Sequence, residues 1–201
     1  MFGNQELHQE LKETAILAAK RIMGATIKED DEKEIFRPEF IQALGEEGLC
    51  GIPTSDEFGG MGMGYLEYAM VLEEVSKISA AYAMSIAVTG LPQIILAEFG
   101  TKEQQDTWIP GLASGELLGA FALSEPDSGS DAGSLTATAL LEGDNYRLNG
   151  RKFWITHGGF ADIYIVMART GVAGPKGVSA FIVAKDAPGL SFGKREDKMG
   201  M

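Results

Sequence analysis

Cysteine, histidine and basic residues are all scarce in this chain of 201 residues. Cys50 is the single cysteine, so no disulfide can form within the chain and a reducing compartment is expected. Together with two histidines it offers too few soft ligands for a zinc site. Lysine and arginine number 17 against 29 aspartates and glutamates, and the net charge is −12. Nucleic-acid binding is therefore not expected, because it requires a concentrated positive face.

Long apolar runs are also few. The sequence is polar and acidic from Gln5 onward, so no signal peptide is expected. Residues 78–97 form a charge-free run that is about long enough to span a bilayer. Polar residues such as Thr89 and Gln93 interrupt this run, and Pro92 follows a glycine by two positions. We therefore expect a buried helix, broken near the glycine and the proline, and no membrane span.

Apolar residues recur at helical spacing through the first part of the chain, to about residue 119. Leu7, Leu11 and Ala15 begin one such face, and a threonine with a glutamine three positions later forms a capping box. The predicted elements are helices over 6–27, from Pro38 to near Gly48, over 65–76 and 78–97, and from Thr101 to Pro110, with a solvated linker at 28–34 and a loop at 52–64.

From Leu118 onward the apolar residues alternate instead, as they do in strands. The predicted strands are 135–141, 146–148, 152–156, 162–169 and 178–185, with a hairpin turn at 142–145. Several short strands at this spacing indicate a small antiparallel barrel or sandwich. The predicted fold class is therefore α+β, with an all-α domain over residues 1–119 followed by a β domain over residues 120–201.

Two stretches could carry chemistry, and the first is Phe121-Ala-Leu-Ser-Glu-Pro-Asp-Ser-Gly-Ser-Asp-Ala-Gly-Ser134. Its small residues leave backbone N–H groups uncovered and let a ligand approach closely. Glu125 and Asp131 lie within it, so it is not a simple phosphate cradle. By composition alone, an ordinary surface turn is the alternative interpretation.

The second stretch is Lys152-Phe-Trp-Ile-Thr-His-Gly-Gly-Phe-Ala-Asp162. A strand here would bring Trp154 and Thr156 to the same face, which offers a broad aromatic wall beside a hydroxyl group. That combination suits a flat heteroaromatic ligand with a hydrogen-bonding edge. The alternative is a half-buried tryptophan of the core with a cross-strand threonine.

The two stretches, in this order after a helical segment, closely resemble the acyl-CoA dehydrogenase family of flavoproteins. The resemblance runs from Arg37 onward and includes Leu112-Ala-Ser-Gly-Glu-Leu-Leu-Gly-Ala120, Leu148-Asn-Gly150 and Glu196-Asp-Lys-Met-Gly200. It implies an N-terminal helical domain, a middle β domain and a C-terminal four-helix domain. The four-helix domain is expected to be absent from these 201 residues, and the β domain is expected to be incomplete.

The resemblance also assigns roles within the first stretch. Phe121, Leu123 and Ser124 are expected to line the ring of a non-covalently bound FAD, with Ser124 bonding the pyrimidine edge. Gly129 and Ser130 are expected to approach the flavin pyrophosphate. Ser130 is also expected to lie beside the pantetheine arm of the substrate, which makes it the substrate-binding residue of this set.

In the second stretch, the resemblance implies that Trp154 covers one face of the flavin and that Ile155 contributes its backbone. The Thr156 hydroxyl is expected to bond flavin N5. No catalytic residue is expected in this chain, since the family's glutamate base lies in the C-terminal domain. Glu125 and Asp131 are expected to give the loop its structure.

The function implied is oxidoreductase chemistry in the catabolism of fatty or organic acids. An α-proton is removed from an acyl-CoA while the β-hydrogen leaves as hydride to the flavin. The expected partners are the acyl-CoA, an electron-transfer flavoprotein and further copies of the chain, as a tetramer at full length, in the cytoplasm or the mitochondrial matrix. An oxidase or flavin monooxygenase of the same fold is one alternative. A non-catalytic assembly or binding module is the other.

Overall fold

The computed structural model describes residues 5–198, which form two compact units. The first unit contains the residues up to Leu118, together with Asp197 and Lys198, and holds the α-helices. The second unit covers Gly119–Glu196 and contains the sheet. This order of helices followed by strands confirms the predicted α+β class. The last two residues of the 196–200 motif and both chain ends lie outside the described residues.

Six α-helices lie in the described part of the first unit. They are α1 (Gln5–Met23), α2 (Ile27–Glu32), α3 (Pro38–Glu46), α4 (Tyr65–Ser76), α5 (Ala80–Phe99) and α6 (Lys102–Ala113). Helix α1 buries Leu11 and Ala15, as their spacing predicts, and also Met23, whereas Leu7 of the predicted face is exposed. The predicted loop at 52–64 contains no α-helix or strand, although a short 3-10 helix, Asp56–Phe58, forms within it.

The predicted linker at 28–34 is wrong, because α2 occupies most of it. Asp30 is almost completely buried there, and both of its carboxylate oxygens accept hydrogen bonds of 2.7 Å from the Arg37 guanidinium. A run of charged residues that resembles a linker is therefore anchored by one buried ion pair, between Asp30 and Arg37. Nothing in the spacing of the charges distinguishes this case from a solvated linker.

Helix α5 is continuous through Pro92, so the predicted break is also wrong. Gly90 lies where a side chain would meet the Tyr68 hydroxyl, which in turn donates a hydrogen bond to the Ile86 carbonyl. The glycine therefore permits close packing of α4 on α5, and this packing outweighs the local cost of the proline. Helix α6 likewise continues past Pro110 to Ala113.

By length and composition α5 could cross a membrane, but half of its most apolar window is buried within the structure. Its fully buried Gln93 donates hydrogen bonds of 3.1 Å to the carbonyls of Cys50 and Leu112. It also accepts a hydrogen bond from the Thr54 hydroxyl. These contacts are those of a core helix in a helical unit.

The second unit contains a mixed sheet of five strands. The strands are β1 (Gly119–Ala122), β2 (Thr138–Glu142), β3 (Asn145–Asn149), β4 (Ile163–Arg169) and β5 (Val178–Ala184). Their order is β1-β4-β2-β3, and β5 also pairs with β4. The β2–β3 hairpin and the β4–β5 pair are antiparallel, as expected, whereas β4 pairs in parallel with β1 and with β2. The purely antiparallel arrangement predicted for this domain is thus corrected to a mixed one.

The predicted strand at 152–156 does not form. Trp154 has φ of 60° and His157 has φ of 64°, in the left-handed region that strands exclude. The segment has no regular structure up to Ile155 and is a turn from Thr156 to Phe160. The prediction that Trp154 and Thr156 share one face of a strand is therefore wrong.

Candidate functional site

The first candidate segment begins within β1 and continues beyond its end. Glu125 and Ser128 close a tight turn through two backbone hydrogen bonds, of 2.8 and 3.2 Å. The Ser128 hydroxyl then donates to the Asp131 carbonyl at 2.8 Å, and the Asp131 carboxylate accepts a hydrogen bond from the Ser134 hydroxyl. The short polar side chains therefore hold the loop in shape by bonding to the loop itself, as predicted for Asp131.

The second segment lies directly alongside the first. The Phe153 N–H donates to the Ser124 carbonyl at 2.9 Å. The Lys152 ammonium donates to the Leu123 carbonyl at 2.9 Å and to the Glu125 carboxylate at 2.7 Å. Two stretches nearly thirty positions apart in the sequence thus meet through backbone and side-chain bonds.

Glu125 is 5% exposed and serves this junction as an acceptor. Its carboxylate also accepts from the Thr136 N–H at 2.6 Å, the Thr136 hydroxyl at 2.7 Å and the Ala137 N–H at 2.9 Å. Burial opposes ionisation, but the Lys152 ammonium and these donors outweigh it and lower the pKa of Glu125 to about 2. A carboxylate held in this way is a poor proton acceptor at neutral pH.

The turn that follows exposes an aromatic surface. Trp154 is 63% exposed. Its indole meets the Phe153 ring edge-on, with 6.3 Å between the ring centroids. Ile155 and Thr156 are half-buried beside it in the sequence. Left-handed backbone at a tryptophan is strained, and such strain concentrates at functional sites.

His157 lies within the turn at 156–160 and is buried. Its Nδ1 donates a hydrogen bond of 2.8 Å to the Gly119 carbonyl at the start of β1. Burial lowers the pKa of His157, although the bond to the Gly119 carbonyl opposes this, so the imidazole is neutral at pH 7. The geometry gives His157 an ordinary hydrogen-bonding role.

The structure places the remaining predicted residues along β1 and its loop. Phe121 pairs with Ile165 of β4 and is half-buried, as are Leu123 and Ser124. Gly129 and Ser130 are exposed beyond the Glu125–Ser128 turn. A side chain at Gly129 would meet nothing within 4 Å, so the backbone there is open to an approaching ligand.

Arg169 was missed by sequence reasoning. Its guanidinium donates to the carbonyls of Gly133, Leu135, Val172 and Gly174 at 2.7 to 3.1 Å. It thereby fixes the backbone that follows the first segment. The sequence carries no signal for this role, because the acceptors are backbone atoms. Within residues 5–198 no cluster of His, Cys, Asp and Glu could hold a metal ion.

Comparison with known proteins agrees with this arrangement. The model of the acyl-CoA dehydrogenase N-terminal domain matches residues 5–116, and that of the middle domain matches residues 120–201. The chain belongs to the acyl-CoA dehydrogenase family. The family resemblance predicted from the sequence is therefore confirmed. The matched models together cover nearly the whole chain.

Individual members of the family are similar over much of this chain. An acyl-CoA dehydrogenase of Bacillus subtilis is 46% identical over 173 residues, which cover 85% of this chain and 46% of that protein. Butyryl-CoA dehydrogenase from Megasphaera elsdenii superposes with a TM-score of 0.90 at 35% identity, over 98% of this chain and 53% of that one. The FAD complex of PigA gives 0.91 at 31% identity, with coverage of 98% and 53%. The chain thus spans about half the length of the curated relatives that it matches.

Proposed function

We propose that this chain supplies the FAD-binding surface and part of the acyl-CoA-binding surface of an acyl-CoA dehydrogenase. The observation that carries the proposal is the junction in which Phe153 bonds Ser124 and Lys152 bonds Leu123. It brings together the two segments that the resemblance assigns to the flavin. The similarity to butyryl-CoA dehydrogenase and to an FAD complex supports the same proposal.

The residues present fit a flat ring with a polar edge. Trp154 is largely exposed, and covering its indole with an aromatic ligand is favourable because apolar surface is removed from water. Ser124 and Thr156 are half-buried, and each hydroxyl can donate or accept a hydrogen bond at the ligand edge. Phe121 and Leu123, also half-buried, provide apolar contact. These residues would hold the ring, with Ile155 contributing its backbone.

The loop can accommodate the anionic part of the cofactor because its side chains are small. Gly129 lets the backbone approach a pyrophosphate, and the Ser130 hydroxyl can donate to it or to the pantetheine arm of a thioester. The net charge of −12 gives no general attraction for an anion. Pairing of Glu125 with Lys152 neutralises one negative charge near the loop. Local donors are therefore the proposed basis of binding.

Bound FAD would supply the two-electron acceptor for the hydride that leaves the β-carbon of the acyl chain. The protein's part in this chain is to bind and orient the ring and to keep water from its covered face. We place the proton-abstracting base outside these residues, since Glu125 is already occupied by four donors. Assembly of several copies, an electron-transfer flavoprotein as the electron acceptor, and a cytoplasmic or mitochondrial matrix location complete the proposal.

Gly129→Ala tests the flavin assignment. A methyl group at Gly129 meets no protein atom, so folding should be unchanged, but it should obstruct the pyrophosphate. We expect FAD affinity to fall about tenfold, since a misplaced methyl costs on the order of 1–3 kcal/mol. Fluorescence titration with FAD measures the change.

Gly193→Ala is the matched control, because Gly193 is equally open and lies in the same unit but outside both segments. It should leave FAD affinity unchanged. Equal affinity in the Gly129→Ala variant would contradict the assignment. Adding short-chain acyl-CoAs to the FAD-loaded protein then tests the reaction, and rapid oxygen consumption on flavin reduction would favour an oxidase instead.

A further inference from the structure

We propose that the Glu125–Lys152 ion pair is a positioning device that fixes the register between the two flavin-binding segments. Lys152 contacts Leu123 and Glu125 with one ammonium group, and Phe153, the next residue, bonds Ser124. Three consecutive residues of the first segment are thereby bonded to two consecutive residues of the second. The role for FAD rests on the proposed function, whereas the register itself does not.

Burial distinguishes this ion pair from the others in the sheet unit. The side chains of Lys152 and Glu125 are 10% and 3% exposed. Those of Arg147 and Glu142 in the β2–β3 hairpin are 66% and 54% exposed, although their charged atoms are 2.6 Å apart. Water competes little for the buried pair, so each charge is strongly held by its partner. The exposed pair contributes little.

The chemistry of lysine suits a junction of this kind. An ammonium group has three donors, and Lys152 uses them to reach both a backbone carbonyl and a carboxylate. The carboxylate of Glu125 in turn holds the backbone N–H groups of Thr136 and Ala137, which follow the loop. Both ends of the first segment are thus connected to the second segment through one charge pair.

This arrangement explains why a segment without regular secondary structure can present Trp154 and Thr156 in a fixed place. Residues 151–155 have no strand ladder to set their register. The Phe153–Ser124 bond is a single backbone link, and one such bond is weak by itself. The buried pair, one position earlier in the second segment, supplies the additional constraint.

The test compares two double variants that each remove a complete ion pair. Glu125→Gln with Lys152→Met removes the buried pair, and Glu142→Gln with Arg147→Met removes the exposed pair. Removing both charges avoids an unpaired buried charge, so folding is preserved better than in a single variant. Hydrogen exchange of the Phe153 amide is measured against amides of β4, which corrects for any change in overall stability.

The proposal expects protection of the Phe153 amide to fall at least about tenfold relative to β4 in the first double variant and to be unchanged in the second. FAD affinity should fall about tenfold in the first variant and stay unchanged in the second. This difference should remain when the two variants have the same unfolding midpoint, because it does not arise from lost stability. Unchanged Phe153 protection in the first variant would overturn the proposal. A purely structural pair would lower the unfolding midpoint and leave both relative protection and FAD affinity unchanged.

Lys152→Arg covers the case in which the first double variant does not fold. A guanidinium keeps the charge, but it is larger and flatter than an ammonium, so in this buried site it would displace the Leu123 carbonyl and the Glu125 carboxylate from their present positions. Relative protection of Phe153 should fall here too, and unchanged protection would overturn the proposal. If the unmodified chain binds no FAD while the exchange results are as expected, the register is supported and the proposed function fails.

Discussion

Replacing Glu125 with glutamine should destabilise the sheet unit by an amount that the structure allows us to work out. Folding lowers the pKa of this carboxyl from 4.5 to about 2, because its donors outweigh the effect of burial. Since one pKa unit corresponds to about 1.36 kcal/mol, the ionised carboxylate contributes about 3 kcal/mol to folding at neutral pH. Glutamine has no charge, and it leaves the buried Lys152 ammonium without its counterion.

The same contribution should depend on pH with a definite sign. The pKa is lower in the folded state, so the stabilisation is complete well above pH 4.5 and is lost as the pH falls toward 2. At about pH 3, roughly two thirds of this stabilisation of the folded state, about 2 kcal/mol, should be lost. The difference between the unmodified chain and the Glu125→Gln variant should therefore shrink on acidification.

Urea unfolding measures this difference. In a Trp108→Phe background, Trp154 is the only tryptophan and its emission reports on the sheet unit. Other carboxylates titrate equally in both proteins, so their contributions cancel in the comparison. A difference in unfolding free energy that stays constant between about pH 6 and pH 3 would refute the reasoning.

Three further substitutions test the helical unit by urea unfolding. Gln93→Leu should cost about 2 kcal/mol or more, because buried carbonyls lose their donor, and a neutral result would contradict the assigned network. Asp30→Asn should destabilise at neutral pH, and the loss should shrink as the pH falls below the usual range of an aspartate, because the bond from Arg37 lowers the pKa of Asp30; a loss that does not shrink on acidification would count against the pair. Gly60→Ala should destabilise by about 1–3 kcal/mol, since a Cβ would lie 2.1 Å from the Thr54 carbonyl oxygen, and unchanged stability would show that the loop relaxes freely.

Local signals predicted the parts of the fold that depend on neighbours in the sequence. Pro38 lies in the first turn of α3, as expected of a residue with fixed φ and no N–H. Thr101 and Gln104 form the reciprocal bonds of a capping box at the start of α6. The turn at 142–145 joins β2 to β3 as an antiparallel hairpin. In each case the decisive contact spans only a few residues.

Contacts between distant residues account for what could not be predicted. The motifs indicated which residues belong to the candidate site, but the pairing of Lys152 with Glu125 spans 27 positions and leaves no periodic trace. The left-handed backbone at Trp154 is likewise imposed by the surroundings, because tryptophan has no intrinsic preference for it. Alternation therefore suggested a strand where the backbone turns. Parallel pairing of β1 with β4 is a long-range contact of the same kind.

Binding of FAD observed through Trp154 tests the central claim most directly. The Trp108→Phe chain is titrated with FAD while the emission of its remaining tryptophan is recorded. We predict saturable quenching with one FAD bound per chain, because the ring is proposed to lie against the exposed indole. FAD that binds without quenching Trp154, or no saturable binding at all, would contradict the account.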